Sequence, residues 1–246
     1  MNFFRADLHI HTVLSPCGDL EMSPGNIVSQ AALNGLNIIG VTDHNTTRHC
    51  RLTAQLAEEK GIFVMYGAEV TTKEEVHCLA FFENTDALNR FQEFLDRNLP
   101  DIQNDPSIFG EQVQVDENEN IVYEEKKLLI NAISRSIEET EAFIHWLGGI
   151  FIPAHIDKMK NSIYSQLGFL PPDLNADALE FSKAADIGKF VKEHNELSGF
   201  TLIQNSDAHL PEDIGSAFTV FYINEPSFAE IKMALKGEKE RKIVLS

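Results

Sequence analysis

Nine histidines punctuate the chain: His9, His11, His44, His49, His77, His145, His155, His194 and His209. Six of them, His9, His11, His44, His77, His155 and His209, fall in or beside short β-rich runs, with acidic company: Asp7, Asp43, Glu69 and Asp207. In DLHIHT, His9 and His11 stand two residues apart, so on a strand both imidazoles point to one face. Asp207 and His209 repeat that spacing in NSDAH. Imidazole with carboxylate is a donor set for Zn, Mn or Fe(II), unlike the thiolate-rich set of a structural zinc site. A single strand-end histidine is most often an ordinary core or surface residue. The argument lies in the conjunction: four to five strand ends carry imidazole or carboxylate, and burying that many polar groups together without a cation would be costly. His194 and His145 read as ordinary residues, and so does His49, although it stands close enough to the others to support them from behind.

The elements that must position these groups alternate in type. β-rich runs at 5–9, 38–42, 62–69, 76–82, 150–154, 178–181, 201–204 and 218–223 are separated by helix-patterned segments at 24–34, 47–60, 85–98, 137–146, 185–197 and 227–236. Ser23-Pro24 and Pro226-Ser227 are helix-start signals, and Gly61 and Gly199 sit where helices should stop. Mostly apolar strands alternating with helices predict a parallel sheet covered by helices, and seven or eight such strands favour an irregular α/β barrel. In a parallel barrel the C-terminal rim gathers the loops, which would bring the scattered donors together; His77 sits near the start of its strand instead. The polar, acidic segment 99–133 breaks the alternation. Within it EQVQV-DENEN-IVYEE reads as two short strands around a polar turn, either a surface excursion or a lid over a substrate pocket.

At 246 residues the chain has room for one large domain or at most two small ones, and is read as a single unit over 1–246. No apolar run approaches the roughly 18–20 residues that span a bilayer, and the N-terminus has no signal-peptide pattern. Three cysteines, Cys17, Cys50 and Cys78, are too few and too irregular for a disulfide framework. Together these predict a cytoplasmic protein without membrane contact. A formal net charge of −18 argues against a long polyanionic partner, because nucleic-acid binding draws on clustered Lys and Arg. No obligate protein partner is implied.

DLHIHT, VTDHN at 41–45, GAEVT at 67–71, VHCLAFF at 76–82, His155 and NSDAH at 205–209, in that order, resemble the PHP (polymerase and histidinol phosphatase) family over nearly the whole chain. The resemblance implies a distorted (β/α)7 barrel of the PHP type and a centre of two or three divalent metal ions that hydrolyses phosphate esters. Carried over by position, it implies a first ion held by His9, His11 and Asp207 with Glu69 as bridge, and a second held by Glu69, His77 and His155. A third would take His44, His209 and a residue of the loop SPCGDLEMSP, which is longer here than in many members. That loop offers Cys17, Asp19 and Glu21; Asp19 preserves the expected carboxylate, and Cys17 is its rival. Ions within about 3.5–4 Å of one another activate water for attack on phosphorus and stabilise the leaving oxygen, with Asp207 or Asp43 as the residue that orients the water or takes its proton. Arg48, Arg135 and Lys158 are the candidate phosphate contacts. The expected substrate is a small phosphomonoester such as a nucleotide, a sugar phosphate or a histidinol-phosphate-like compound. Alternatives are a nuclease acting on short oligonucleotides or dinucleotides, and a non-catalytic metal-binding scaffold.

Overall fold

In the computed structural model, residues 1–245 are described. The strands are β1 (Asn2–Ile10), β2 (Ile38–Val41), β3 (Phe63–Thr71), β4 (His77–Phe82), β5 (Val113–Val115), β6 (Ile121–Glu124), β7 (Ile150–Pro153), β8 (Leu179–Phe181), β9 (Leu202–Gln204), β10 (Thr219–Ile223) and β11 (Lys242–Leu245). The helices are α1 (Pro24–Leu33), α2 (Cys50–Glu58), α3 (Thr85–Asn98), α4 (Pro106–Phe109), α5 (Ile137–Trp146), α6 (Ile163–Leu167), α7 (Ile187–Glu193) and α8 (Phe228–Leu235). Local chemistry sets their starts. Ser23 caps α1 by accepting from the Asn26 amide, with Pro24 in the first turn, and Ser136 and Glu139 form a reciprocal capping box on α5. Gly61, at φ +65, follows α2 in the left-handed conformation that a side chain resists.

One sheet runs in the order β11-β10-β1-β2-β3-β4-β7, and a second pairs β8 with β9. β1, β2 and β3 are mutually parallel, whereas β4 is antiparallel to both β3 and β7. The two sheets are joined at both sides. The Ile156 amide donates to the Glu180 carbonyl at 2.8 Å and the Asp177 amide to Phe151 at 2.9 Å, while Ala208 and the end of β1 exchange bonds of 3.1 and 3.0 Å through His9 and His11. The strands β1-β2-β3-β4-β7-β8-β9 thus curl into the expected distorted barrel, with β10 and β11 extending it beyond the lower half of β1. Along β3 and β4, Met65 shares a face with Glu69, and Leu79 and Phe81 share one with His77; these apolar members are buried and form the floor beneath the polar cluster. A register shift between Asp7 and Ile10 marks a bulge in β1, a device that bends a strand and re-aims its side chains.

The segment 99–133 contains the hairpin β5–β6 and the short α4. It is anchored rather than loose. Val113 and Val115 pack on Val13, Asn45 donates to the carbonyls of Leu129 and Asn131 at 2.7 and 2.9 Å, and Ser23 donates to Glu119 at 2.5 Å. The helix expected over 185–197 is broken: α7 stops at Glu193 and a 3-10 turn, Asn195–Gly199, follows. β11, α4 and α6 were not expected; α4 and α6 carry the start signals Asp105-Pro106 and Ser162 but are only 4 and 5 residues long. Among the described residues no helix is long and apolar enough to cross a membrane.

Candidate metal centre

The rim of the barrel gathers the polar residues. β1 delivers His9 and His11; the turn after β2 delivers His44, bridged in parallel to Glu69 of β3. His155 follows β7, and Asp207 and His209 follow β9. The reversed direction of β4 places its first residue, His77, at this same rim, so its position at a strand start was the right one for an antiparallel strand. His155 and Asp207 both hold positive φ, +31 and +54, a backbone strain that clusters at functional sites.

Glu69 is the hub. Its Oε1 lies 2.9 Å from His77 Nδ1, 3.1 Å from His155 Nε2 and 3.3 Å from His9 Nε2, and its Oε2 lies 3.0 Å from His44 Nδ1 and 3.4 Å from His11 Nε2. Asp207 Oδ1 is 3.3 Å from His9 Nε2 and 3.4 Å from His11 Nε2. His9, His11, His44, Glu69, His77 and His155 are all buried. These spacings suit a cation. Donors arranged tetrahedrally at about 2.0–2.1 Å from one ion stand about 3.3 Å apart, as His9, His11, Glu69 and Asp207 do. The two nitrogens His9 Nε2 and His11 Nε2 face each other at 3.1 Å. Their other nitrogens are engaged, His9 Nδ1 with Glu180 at 3.0 Å and His11 Nδ1 with Ser15 Oγ at 3.0 Å. Two lone pairs so placed repel unless positive charge stands between them. His44 Nδ1, also buried, stands 3.0 Å from Glu69 Oε2 but out of hydrogen-bond alignment. Among the described residues, His9, His11 and Glu69, then His44, Glu69 and His77, and then His11, Cys17, His44 and His209 each offer donor atoms within 4.8 Å of one another.

The electrostatics make the same demand. Burial pushes His9 down, yet Glu180, Asp207 and Glu69 outweigh it and hold it well above the usual imidazole range. Burial opposes charge on His44 too, but Cys17 and Glu69 raise it to about 10. Glu69 and Asp207 are pushed up by burial and pulled further down by the histidines around them, to well below the carboxylate range. Anionic groups in a dry cage thus draw positive charge onto His9 and His44, while burial lowers the neighbouring His11 and His77.

The loop after β1 brings Cys17, not Asp19, to the cluster. Cys17, Asp19 and Glu21 are all exposed residues, but the Cys17 thiol lies with the donor atoms of His11, His44 and His209, whereas the Asp19 carboxylate accepts from the Glu21 amide at 2.8 Å, closing its own turn. Burial pushes the Cys17 thiol up, but His44 and His209 outweigh it and lower it to about 6. Asp43, expected as a catalytic residue, lies buried behind the centre against Thr12 and Ser15. Both its oxygens are consumed, accepting from the Thr12 amide and hydroxyl at 2.7 and 2.8 Å and from Ser15 Oγ at 2.7 Å. Two of the expected phosphate contacts are engaged elsewhere. Arg48 is held by Asp96 at 3.1 Å and Glu125 at 3.6 Å. Arg135 ties the end of α3 to the start of α5 through Asn98 at 2.8 Å and Glu139 at 2.9 Å. Lys158 alone of the three reaches the centre, where it pairs with Asp207.

Above the cluster lies a cleft of about 340 Å3, walled by Ile130 of the insertion, Lys158, Lys160 and Asn161. Sequence reasoning missed Glu180, which accepts from His9 at 3.0 Å, from Asn205 at 2.8 Å and from the His155 amide at 3.0 Å. It also missed Asn161, whose side-chain amide lies 2.8 Å from His77 Nε2, and Ser15.

Comparison with known proteins gives this arrangement its relatives. The PHP domain family matches residues 7–166, and a PHP-associated family matches residues 196–239. The Bacillus subtilis protein YqxK is 35% identical over 105 residues, 40% of this chain and 26% of its own length. Among solved structures, the lesion-specific endonuclease Q of Pyrococcus furiosus superposes with a TM-score of 0.76 at 23% identity, over 98% of this chain and 58% of that one. A Bifidobacterium adolescentis protein, a candidate metal-dependent phosphoesterase, superposes at 0.57 and 21% identity over 95% and 96% of the two chains. At these identities the likeness is one of fold. Endonuclease Q has also been solved with a 27-mer duplex substrate bearing an abasic lesion at its active site, with a TM-score of 0.69 to this chain. That finding overturns the exclusion of long nucleic acid and favours the nuclease alternative over the small phosphoester. The charge argument fails because a net charge of −18 sums the whole chain. Asp7, Asp43, Glu69 and Glu180 are buried and contribute little to the outer field, while the cleft itself carries two lysines.

Proposed function

The chain belongs to the PHP family, and from that premise we propose that it is a metal-dependent phosphoesterase that cleaves phosphodiester bonds in nucleic acid. The observation that carries the reading is the ring of imidazoles around Glu69, with Asp207 beside it, at the floor of an open cleft whose rim holds Lys158 and Lys160. The chain spans 58% of the endonuclease Q chain, so the nucleic-acid substrate is supported by likeness of fold and by the character of this cleft. A cleft of about 340 Å3 lies at the small end of ligand pockets; it admits one phosphate with its adjoining sugar and leaves the rest of a strand across the rim. Its cationic complement is modest, one lysine already paired and one other, which suits the single charge of a phosphodiester.

His9, His11, Glu69 and Asp207 would hold a first ion, Glu69, His77 and His155 a second. Zn, Mn and Fe(II) all fit nitrogen and oxygen donors. Bound there, such ions lower the pKa of water and neutralise phosphoryl oxygens. The chain's own residues set up that chemistry. Glu180 accepts the His9 Nδ1 proton, which fixes the tautomer that turns the Nε2 lone pair inward. Ser15, oriented by Asp43, does the same for His11. Asp207, kept ionised by His9 and His11 against the opposing effect of burial, is placed to orient an attacking water. Lys158, raised by Asp207 against the opposing effect of burial, stays charged and meets the phosphate at the rim. Ile130 and the anchored insertion form a fixed wall that shields one side from water.

The test is cleavage of labelled single- and double-stranded oligonucleotides, undamaged and abasic, by protein reconstituted with Zn, Mn or Fe(II). Strand scission that a chelator abolishes and that His9→Ala reduces at least about a hundredfold is expected. Undiminished scission by His9→Ala, or none by any reconstituted form, removes the reading.

A further inference from the structure

Resting on the metal centre just proposed, we infer that a third ion is held by the Cys17 thiolate together with His44 and His209, and that the chain thereby adds a sulfur ligand to an otherwise nitrogen and oxygen centre. The donor atoms of Cys17, His44 and His209, with His11, lie within 4.8 Å of one another, and the His11 ring stacks on that of His209 with centroids 4.2 Å apart. His209 is turned so that Nδ1 donates to the Asp207 carbonyl at 2.9 Å, which leaves Nε2 for the cluster. The thiol is delivered by a fixed loop. The Val13 amide donates to the Met22 carbonyl at 2.8 Å, Gly18 to Ser15 at 2.9 Å and Asp19 to the His209 carbonyl at 3.0 Å. A Cβ on Gly18 would stand 2.4 Å from the Thr12 carbonyl oxygen, so the tight turn beside Cys17 requires glycine. Asp19, the only nearby carboxylate the turn itself consumes, is exposed and faces its own backbone. The other two cysteines are buried elsewhere, Cys50 with its thiol on the Gly67 carbonyl at 3.2 Å.

A thiolate changes what the corner prefers. Sulfur with imidazole suits zinc and its spectroscopic substitute cobalt(II), whereas manganese and magnesium favour oxygen. The third position therefore selects zinc more strongly than the other two.

Cobalt(II) titration of metal-free, reduced full-length protein tests this by absorbance. The expected result is a near-ultraviolet sulfur-to-cobalt charge-transfer band with the wild type. Cys17→Ser should lose that band and one equivalent of bound cobalt, and Asp19→Asn should keep both. Independently, iodoacetamide should alkylate Cys17 of the wild type at least about tenfold more slowly with zinc bound than without, a readout that needs no variant. Cobalt uptake without the band, a band that survives Cys17→Ser, or alkylation indifferent to zinc overturns the inference and leaves the first two ions standing. No cobalt uptake at all overturns the metal centre itself.

Discussion

Glu180 illustrates what a single side chain contributes when it touches no substrate. Its carboxylate binds His9 Nδ1, Asn205 and the His155 backbone amide at once, so it fixes the His9 imidazole and the turn that carries His155. Glu180→Gln is expected to weaken metal binding about 10–100-fold, read by competition against a chromogenic chelator, with circular dichroism unchanged. Loss of binding no greater than for a distant surface glutamate would show that His9 is oriented by other means. The residues that could be found from sequence were those whose type is scarce and whose company is telling: His9 and His11 at period two, Asp43-His44, Asp207 with His209. Glu180 was hidden because one glutamate in an apolar run has no spacing partner; its partner lies across the barrel. Asp19 and Cys17 could not be ranked for a different reason. In a loop no periodicity assigns direction to a side chain, and the turn that spends the Asp19 carboxylate on the Glu21 amide is visible only in space.

At the level of elements, the sequence pattern found most strands and helices but not their direction. Apolar alternation reads the same along β4 whichever way it runs, and only the antiparallel pairing with β3 and β7 explains why His77 belongs at the rim. The insertion is likewise bound into the site by a chain of hydrogen bonds. Val115 of β5 donates to His49 Nε2 at 3.0 Å, His49 Nδ1 meets Thr12 Oγ1 at 2.6 Å, and Thr12 and Ser15 both donate to Asp43. Burial lowers His49, against Asp43, and as a neutral ring it can accept on one side and donate on the other. A second histidine ties elements together away from the site. His145 of α5 lies 3.0 Å from Asp177 and 3.1 Å from Glu141. It is raised first by the hydrogen bond to Asp177, against burial, while Asp177, pushed up by burial, is lowered more by His145. The raised histidine stabilises fully below its unfolded pKa and loses this as pH rises through its folded value; the lowered aspartate stabilises above its unfolded pKa and loses this in acid. The pair therefore contributes most between the two. His145→Gln is expected to cost about 1 kcal/mol near about pH 5.5, or about 2–4 °C of Tm for a chain of this size, and less at about pH 9. A Tm difference that grows with pH would contradict the pairing.

For the molecule as a whole, a net charge of −18 proved a poor guide to partners because charge acts where it sits. Several of the acids are inside, clustered where cations neutralise them, and the same clustering makes the fold dependent on what it binds. An ion present at about 100 times its dissociation constant contributes about 2.7 kcal/mol, so chelation is expected to lower Tm by about 5–10 °C; scanning calorimetry with and without chelator, and with zinc restored, checks this. An unchanged Tm would mean that the buried carboxylates are satisfied without a cation. The closure of the barrel has one further consequence, in time rather than space. Asp7 accepts from Ser206, 199 residues away, and Ala208 pairs with the end of β1, so the strand that carries His9 is completed by a segment far downstream of it. A nascent polypeptide carries His9 and His11 out of the ribosome long before Asp207 and His209 exist to join them. The barrel can close, and the centre can hold its ions tightly, only once that downstream segment has emerged and paired with β1, so metal loading follows closure rather than seeding it.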